Sequence, residues 1–563
     1  MLGVGYILKA LFPSRWLHPL LLLLWLLIGT SLRLTNLAAK PPWTDEFSTL
    51  VFSLGNSFRV VPLERAISLD VLLQPLQPNR SVGVTQVVQH LLTESNHPPL
   101  YFVLAHWWMQ LWPPDSLGLV SVWGARSLSA LFGAASIPAI YLLSWLAYRS
   151  RLVSQLAAAI MAVSPYGIFL AQEARHYTLA ILWVIASLSC LVIATRHIQK
   201  QTPLPLWLGA SWVAINTLGI STHYFFSLTL CVEALFLIAL GWRQTTSQSP
   251  WWQIYIVAAG TLAGCLFWLP FFLHSRHGGE LTEWIQNGNR SGWEWLNPIF
   301  QIIAAWLTML SLLPVEASAL PVAIASGSVM LIFFIWAIPI LRRGITTQLK
   351  QPATRQMTQL FAFVTIGAIA IFFIFTYTLG IDLTRGARYN FVYFPAVIVL
   401  VGASLAVSWN TKRKKSFLWA GKTAVTIIWL MGLASALTVV CNLGYRKYYR
   451  PDLLVQLIQQ VSHSPVLIAT THKTHVQIGE IMGIGREFKL WATPTNPHFL
   501  LTHQNQNPNT STATLQHTLT QLPHPLDLWL VNFHAPIKLS NCTPDPQPLP
   551  PINGYIHQLY HCQ

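Results

Sequence analysis

Eleven runs of roughly 20 apolar residues, the length that crosses a bilayer as a helix, occupy most of the chain before Asn442. They lie near Leu17–Leu37, Ala125–Ala147, Leu152–Leu170, Thr178–Thr195, Leu206–Ile220, Tyr224–Leu240, Ile254–Leu273, Leu320–Leu341, Phe361–Leu379, Phe391–Trp409 and Thr423–Cys441. Only 9% of residues are Asp, Glu, Lys or Arg, whereas a soluble domain carries about a quarter. So few charges cannot cover a water-facing surface of this size, so lipid must cover most of it. The 25 tryptophans suit a protein with two membrane–water interfaces.

The net charge of +16 would ordinarily suggest nucleic acid, but its distribution excludes that partner. Lys9 and Arg15, Arg149 and Arg151, Arg196 and Lys200, Arg243, Arg342 to Arg355 and Lys412 to Lys422 form short clusters between apolar runs, 16 bases without one acid. This is the bias of cytoplasmic loops, so it reports orientation. Pro99 to Trp112 is apolar and Trp-rich but only 14 residues long, between His97-Pro98 and Pro113-Pro114. It is read as an interfacial helix on the outer leaflet. With it excluded from the spans, every acid-free basic loop falls inside. Seventeen of the 18 acids then fall outside, Glu233 alone lying within a span. The N-terminus is then cytoplasmic, and Leu17–Leu37 is a retained first span and not a cleaved signal.

The expected fold is an all-α polytopic membrane protein of about 11 transmembrane helices, with interfacial helices in the first outer loop and a small α/β extracytoplasmic C-terminal domain. The expected division is 1–441 as the transmembrane part, 38–112 being its first outer loop, and 442–563 as the C-terminal domain. In the latter, Asp452–Val461 reads as a helix, Pro465–Thr470 and Leu526–Phe533 as strands, and Asn505–Ser511 and Pro544–Pro551 as loops. Gly483-Ile-Gly485 lacks the third glycine and preceding strand of a dinucleotide fingerprint, and no Rossmann-like sheet is expected. Cys190, Cys231, Cys265 and Cys441 read as small buried hydrophobes. Cys542 and Cys562 lie in the polar tail, where a disulfide is open to them if that tail is extracytoplasmic.

On this topology the polar residues at helix ends gather on the outer side: Asp45-Glu46, Asn96-His97, Arg126, Gln172 to Tyr177, His223, His274 to His277, and Asp382 to Tyr389. Charges near hydrocarbon pair with one another or line a wet cavity. Two acids among several Arg and His suit a site that positions an anion and keeps a carboxylate ionised nearby. Taken singly, each has a structural use: Arg126, Arg385 and Arg388 as headgroup contacts, the histidines as interface residues, Glu233 as an interhelical hydrogen-bond partner.

The order of these motifs is more specific. Trp-Thr-Asp-Glu follows the first span, then come His-Pro-Pro-Leu-Tyr, Ala-Arg-Ser-Leu-Ser-Ala-Leu-Phe-Gly, Ser-Pro-Tyr…Gln-Glu-Ala-Arg-His-Tyr and a late Arg-Tyr. The series, over about Leu17 to Ala406, resembles the GT-C membrane glycosyltransferases, in particular bacterial relatives of protein O-mannosyltransferases and lipid A aminoarabinose transferases. The resemblance implies a hexosyl or pentosyl transferase that takes its sugar from a polyprenyl-phosphate donor at the outer face of a bacterial plasma (inner) membrane. It implies Asp45, with Glu46 beside it, as catalytic base, and His97, Arg126, Arg175, Tyr177, Arg385, Arg388 and Tyr389 on the donor phosphate or substrate. The aminoarabinose enzymes carry Glu where this chain has Asn96, so their metal site is not carried over. No cofactor is required, and a divalent cation stays open.

The expected chemistry is inverting transfer. Asp45 takes the acceptor hydroxyl's proton, and Arg126, Arg175 and Arg388 stabilise the departing lipid phosphate. Membrane lipid is a partner, and the acceptor is left as lipid, glycan or protein. A lipid or sugar transporter or flippase is the rival reading, and it would place its charges on broken helices near mid-membrane.

Overall fold

The computed structural model describes residues 16–79, 81–242, 251–274, 281–286, 290–411, 421–491, 496–504, 507 and 509–563. Two compact units result. The first comprises the chain to Leu37, Ser127–His274 and Thr282–Arg446, and the second Ala38–Arg126 with Lys447–Gln563. These units differ from the expected division: the C-terminal part begins at Lys447, and the first loop, extended to Arg126, belongs to the same compact unit as that part.

In the first unit every expected apolar run is helical. Among the described residues seven helices are long and apolar enough to cross a membrane, and an eighth span is made if the bent pair Arg151–Val163 and Pro165–Ala171 counts as one. The other three, Leu206–Thr222, Phe226–Trp242 and Phe394–Asn410, have 17 residues each. At about 1.5 Å per residue they fall somewhat short of a hydrocarbon core of about 30 Å. A further helix, Asn297–Leu310, is not anticipated by the run of apolar residues. Large apolar side chains such as Phe267, Ile332 and Ile335 are about two-thirds exposed, which only lipid tolerates on this scale. The chain is a multi-pass membrane protein.

The bent span shows how the unit satisfies backbone groups inside hydrocarbon. Its two halves meet at Ser164 with a bend of 56°. Pro165 has no N–H for the carbonyl of Met161, four residues back. Arg33, fully buried at the end of helix Leu17–Leu34, replaces it: Nη2 donates to Met161 O at 3.0 Å and Nη1 to Ala162 O at 3.1 Å. The guanidinium fits because Gly29 and Gly133 leave room, where an added Cβ would sit 3.0 Å from one of its nitrogens.

The second unit holds a six-stranded sheet. Its strands are β1 (Ile67–Ser68), β2 (Val466–His472), β3 (His498–His503), β4 (Leu526–Val531), β5 (Cys542–Pro544) and β6 (His557–Cys562), in the order β1-β3-β2-β4-β6-β5. β2 runs parallel to both β3 and β4 and is buried along nearly its whole length, as a strand covered on both faces must be. Helix His475–Leu490 connects β2 to β3, and helix Asn509–Gln521 connects β3 to β4 on the other side of β2. Right-handed crossovers in opposite directions put these helices on opposite faces. This is the small α/β domain expected from the sequence, and its doubly wound order goes beyond that expectation. The expected loop Asn505–Ser511 runs into a helix at Asn509, while Asn505, Gln506 and Pro508 lie outside the described residues.

The first loop completes the sheet, since Ile67 pairs with Phe499 and Ser68 with His498. Helices Thr44–Ser53 and Leu69–Leu73 pack on helix His475–Leu490. Gly483 and Gly485 lie within that helix, facing Phe47 and Leu72. Cys542 and Cys562 face each other across β5 and β6 and form a disulfide.

Replacing Arg33 by Met should strand two buried carbonyls, at about 1–3 kcal/mol for each group left unpaired. A clear fall in melting temperature in detergent is expected, partly recovered by Arg33→Lys, and an unchanged melting temperature would refute the joint.

Candidate functional site

Asp45 and Glu46 enter helix Thr44–Ser53 in its first turn, where unpaired N–H groups and the helix dipole favour negative charge. The two carboxylates then diverge. Glu46 is 1% exposed and both its oxygens are gripped by Arg126, Nε to Oε1 at 2.7 Å and Nη2 to Oε2 at 2.8 Å. Arg126 is itself wholly buried, and its Nη1 donates to the Lys40 carbonyl at 2.9 Å. Lys447 brings a second cation, Nζ 3.4 Å from Glu46 Oε2, and lies over the Trp43 ring. A buried carboxylate is tolerated under such conditions, with bidentate geometry and its hydrogen bonds made. Asp45 is half-buried, and its backbone carbonyl accepts from Thr49 Oγ1. His97 is half-buried, with Nδ1 3.0 Å from Ser95 Oγ and its ring against Phe102.

Within the first unit the remaining expected residues collect around an aromatic cluster. Arg175 is 1% exposed, its backbone is tied to Ser129 Oγ, and its guanidinium lies over Tyr177 at 5.7 Å. Tyr177, His176, His223, Phe225, Tyr389 and Phe391 form a chain of ring contacts, with centroids 4.5–6.2 Å apart. Arg388 lies over both Trp284 (4.9 Å) and Tyr389 (5.4 Å), while Tyr166 holds its carbonyl. Arg385 is exposed. Its Nε is 3.4 Å from the buried Asp382 carboxylate, which Arg290 also engages, and its Nη1 donates to Trp284 O. Arg175, Tyr177, Arg388 and Tyr389 thus share one neighbourhood, with Arg385 joined to it through Trp284.

Asp45, Glu46 and Arg126 belong together in the second unit. Lys447 is the residue that reading the sequence missed. A faint signal existed, because Arg446, Lys447 and Arg450 follow the last span on the side that the positive-inside rule leaves poor in bases. Trp284 and Ser129 carried no signal. Glu233 does bond to neighbouring helices, accepting from Ser187 Oγ at 2.8 Å. The side chain of His274 and residues Arg276 and His277 lie outside the described residues, as do Lys9, Arg15, Arg243 and most of the cluster beginning at Lys412. Among the described residues no three His, Cys, Asp or Glu side chains are grouped to hold a metal ion.

Several solved structures resemble the chain, among them the following three. ArnT from Cupriavidus metallidurans bound to undecaprenyl phosphate shares 11% identity at a TM-score of 0.49, covering 92% of this chain and 94% of that one. Apo ArnT from the same organism shares 10% identity at 0.46, covering 91% and 92%. The Archaeoglobus fulgidus oligosaccharyltransferase tethered with an acceptor peptide shares 11% identity at 0.41, covering 92% and 69%. No protein-family model and no curated protein sequence matches the chain. None of these likenesses assigns a residue or a reaction to it.

Glu46→Gln or Arg126→Ala should destabilise the second unit by about 3–5 kcal/mol, because each leaves buried charge uncompensated. Asp45→Asn should melt close to the parent. Thermal unfolding of the three variants in detergent checks this, and equal melting of all three would show that the clamp is not structural.

Proposed function

We propose that the chain is a membrane glycosyltransferase that moves a sugar from a polyprenyl-phosphate donor to an acceptor hydroxyl, with inversion, at the outer face of a bacterial plasma membrane. The observation that carries this reading is the buried clamp of Glu46, Arg126 and Lys447, which holds the turn that bears Asp45. Glu46 is committed to Arg126 and Lys447, and a carboxylate held by two cations is a poor proton acceptor. Asp45, half-buried one position earlier on the same turn, is the proposed base, as the resemblance of the Trp-Thr-Asp-Glu motif implies. Arg126 then acts as a positioning residue that fixes this turn, a narrower part than contact with the donor phosphate.

In the proposed reaction Asp45 accepts the acceptor's proton while its oxygen attacks the anomeric carbon. The bond from that carbon to the phosphate oxygen breaks, and the lipid phosphate leaves as an anion that needs no proton. Arg175 and Arg388, with Tyr177 and Tyr389 beside them, would stabilise its charge. His97 would contact the donor phosphate and Arg385 the rim. The transporter reading is less well supported. The bent span is the kind of element a transporter uses, but Arg33 occupies its freed carbonyls, so the bend is a packed joint.

The test is sugar transfer from a polyprenyl-phosphate donor by the purified protein. Asp45→Asn should lower kcat by about 10²–10⁴ without loss of folding, and Arg388→Ala should reduce transfer more than Arg388→Lys. Parental turnover in Asp45→Asn would remove the base, and donor scrambling between leaflets without transfer would favour the flippase.

A further inference from the structure

The doubly wound core of the second unit creates a crevice that the transfer mechanism does not use. At β2 the chain leaves toward β3, and at its neighbour β4 it leaves toward β6, so their carboxyl ends diverge. Open α/β sheets bind ligands at such a switch point. A cavity of about 420 Å³ lies there, within the size range of ligand pockets. Asn532 and His534 just after β4, Gln504 after β3, and Gln477 and Glu480 on helix His475–Leu490 line it, together with Tyr448, Tyr449 and Tyr555.

The chemistry of the lining is selective. Glu480 is 9% exposed and accepts from Tyr449 Oη at 2.7 Å and from Asn532 Nδ2 at 3.3 Å, leaving lone pairs for further donors. Burial, foremost, raises its pKa, while its two hydrogen bonds oppose the rise. Asn532 also ties Gly554 and Ile556 to the end of β4, which fixes the cavity's floor. Tyr448 is 71% exposed and offers an aromatic face. Among the described residues no Lys or Arg lines the cavity, so an anionic ligand would meet the Glu480 carboxylate without a Lys or Arg countercharge. The loop after β2 (His472-Lys473-Thr474) has no glycines to cradle a phosphate, and Thr474 and Gln477 cap the helix start themselves. Carboxylate, amides and aromatic faces in one cavity match hydroxyl groups on an uncharged ring.

The cavity is also next to the candidate base. Gly479, beside Glu480, sits against the first turn of Thr44–Ser53, where an added Cβ would be 3.6 Å from the Thr44 backbone. Burial, then Glu480, and among the further charges Asp45, all push the Tyr449 phenol upward, so the Asp45 carboxylate is within electrostatic reach of the lining.

We infer that this cavity binds an uncharged saccharide and that it holds the acceptor sugar whose hydroxyl Asp45 deprotonates. The second half rests on the transferase reading; the first does not. The acceptor is then a neutral glycan or the sugar portion of a glycolipid. Its oxygen gains the donor's anomeric carbon, its proton goes to Asp45, and polyprenyl phosphate departs.

The experiment is a glycan array probed with the full-length protein in nanodiscs, with neutral, anionic and amine-bearing glycans. Neutral glycans should bind, and Tyr448→Ala and Glu480→Gln should each weaken binding by about tenfold or more. Tyr448 is too exposed for its loss to unfold the chain, so a fall there reads the site itself. Asp45→Asn should bind normally and fail to transfer. Binding no stronger than empty nanodiscs, binding only of anionic or amine-bearing glycans, or binding unchanged when Tyr448→Ala and Glu480→Gln are combined at parental melting temperature would overturn the saccharide site. An Asp45→Asn protein that binds and transfers would overturn the acceptor role and the base, while leaving saccharide binding supported.

Discussion

A single buried carboxylate organises the second unit. Glu46 draws Arg126 from the start of one membrane helix and Lys447 from beyond the last, joining segments 80 and 401 residues away along the chain. Each of these charges would be expensive to bury alone. Lys447 joins the pair only when the first loop and the C-terminal part fold as one body, and the strand Ile67–Ser68 on the edge of the sheet gives that body a second tie. Glu46 and Arg126 satisfy each other within the loop segment, and Lys447 and the β1 pairing tie that segment to the C-terminal part.

That constraint bears on chemistry. Two neighbouring acids in one turn would be equivalent in a solvated peptide, yet here one is an anchor and the other is held at a defined position beside it. Preorganisation of this kind allows a carboxylate to act without first paying for its own orientation. The same helix that seats Thr44–Ser53 contributes Glu480 to the polar cavity, so the turn that bears Asp45 and the cavity share a support. Arg33 plays a comparable part in the first unit. There a proline removes one backbone donor and a distant guanidinium supplies two.

The spans were legible because hydrocarbon leaves a run of about twenty residues no choice but apolar side chains and a helix. Where a run had 17 residues the element was recovered but its ability to cross was not decided by the pattern. Asp45, Glu46 and Arg126 stood out as charges where few are tolerated, and they do belong together. Lys447 did not stand out, because an exposed-looking lysine after a span is ordinary until its partner is known. The doubly wound sheet was hidden for a related reason. β3 and helix Asn509–Gln521 are rich in His, Thr, Asn and Gln, which blur the apolar period, and β1 is two residues in a loop far upstream.

Composition and the spacing of apolar runs alone therefore determined that the chain crosses a membrane many times as helices, and which few charges needed an explanation. Only the tertiary structure decided which of those charges meet, that Glu46 is an anchor, and that the first loop completes the C-terminal sheet. The physical reason is range. Helix formation in an apolar solvent is a local response to local sequence, whereas ion-pair satisfaction and strand order depend on groups hundreds of residues apart.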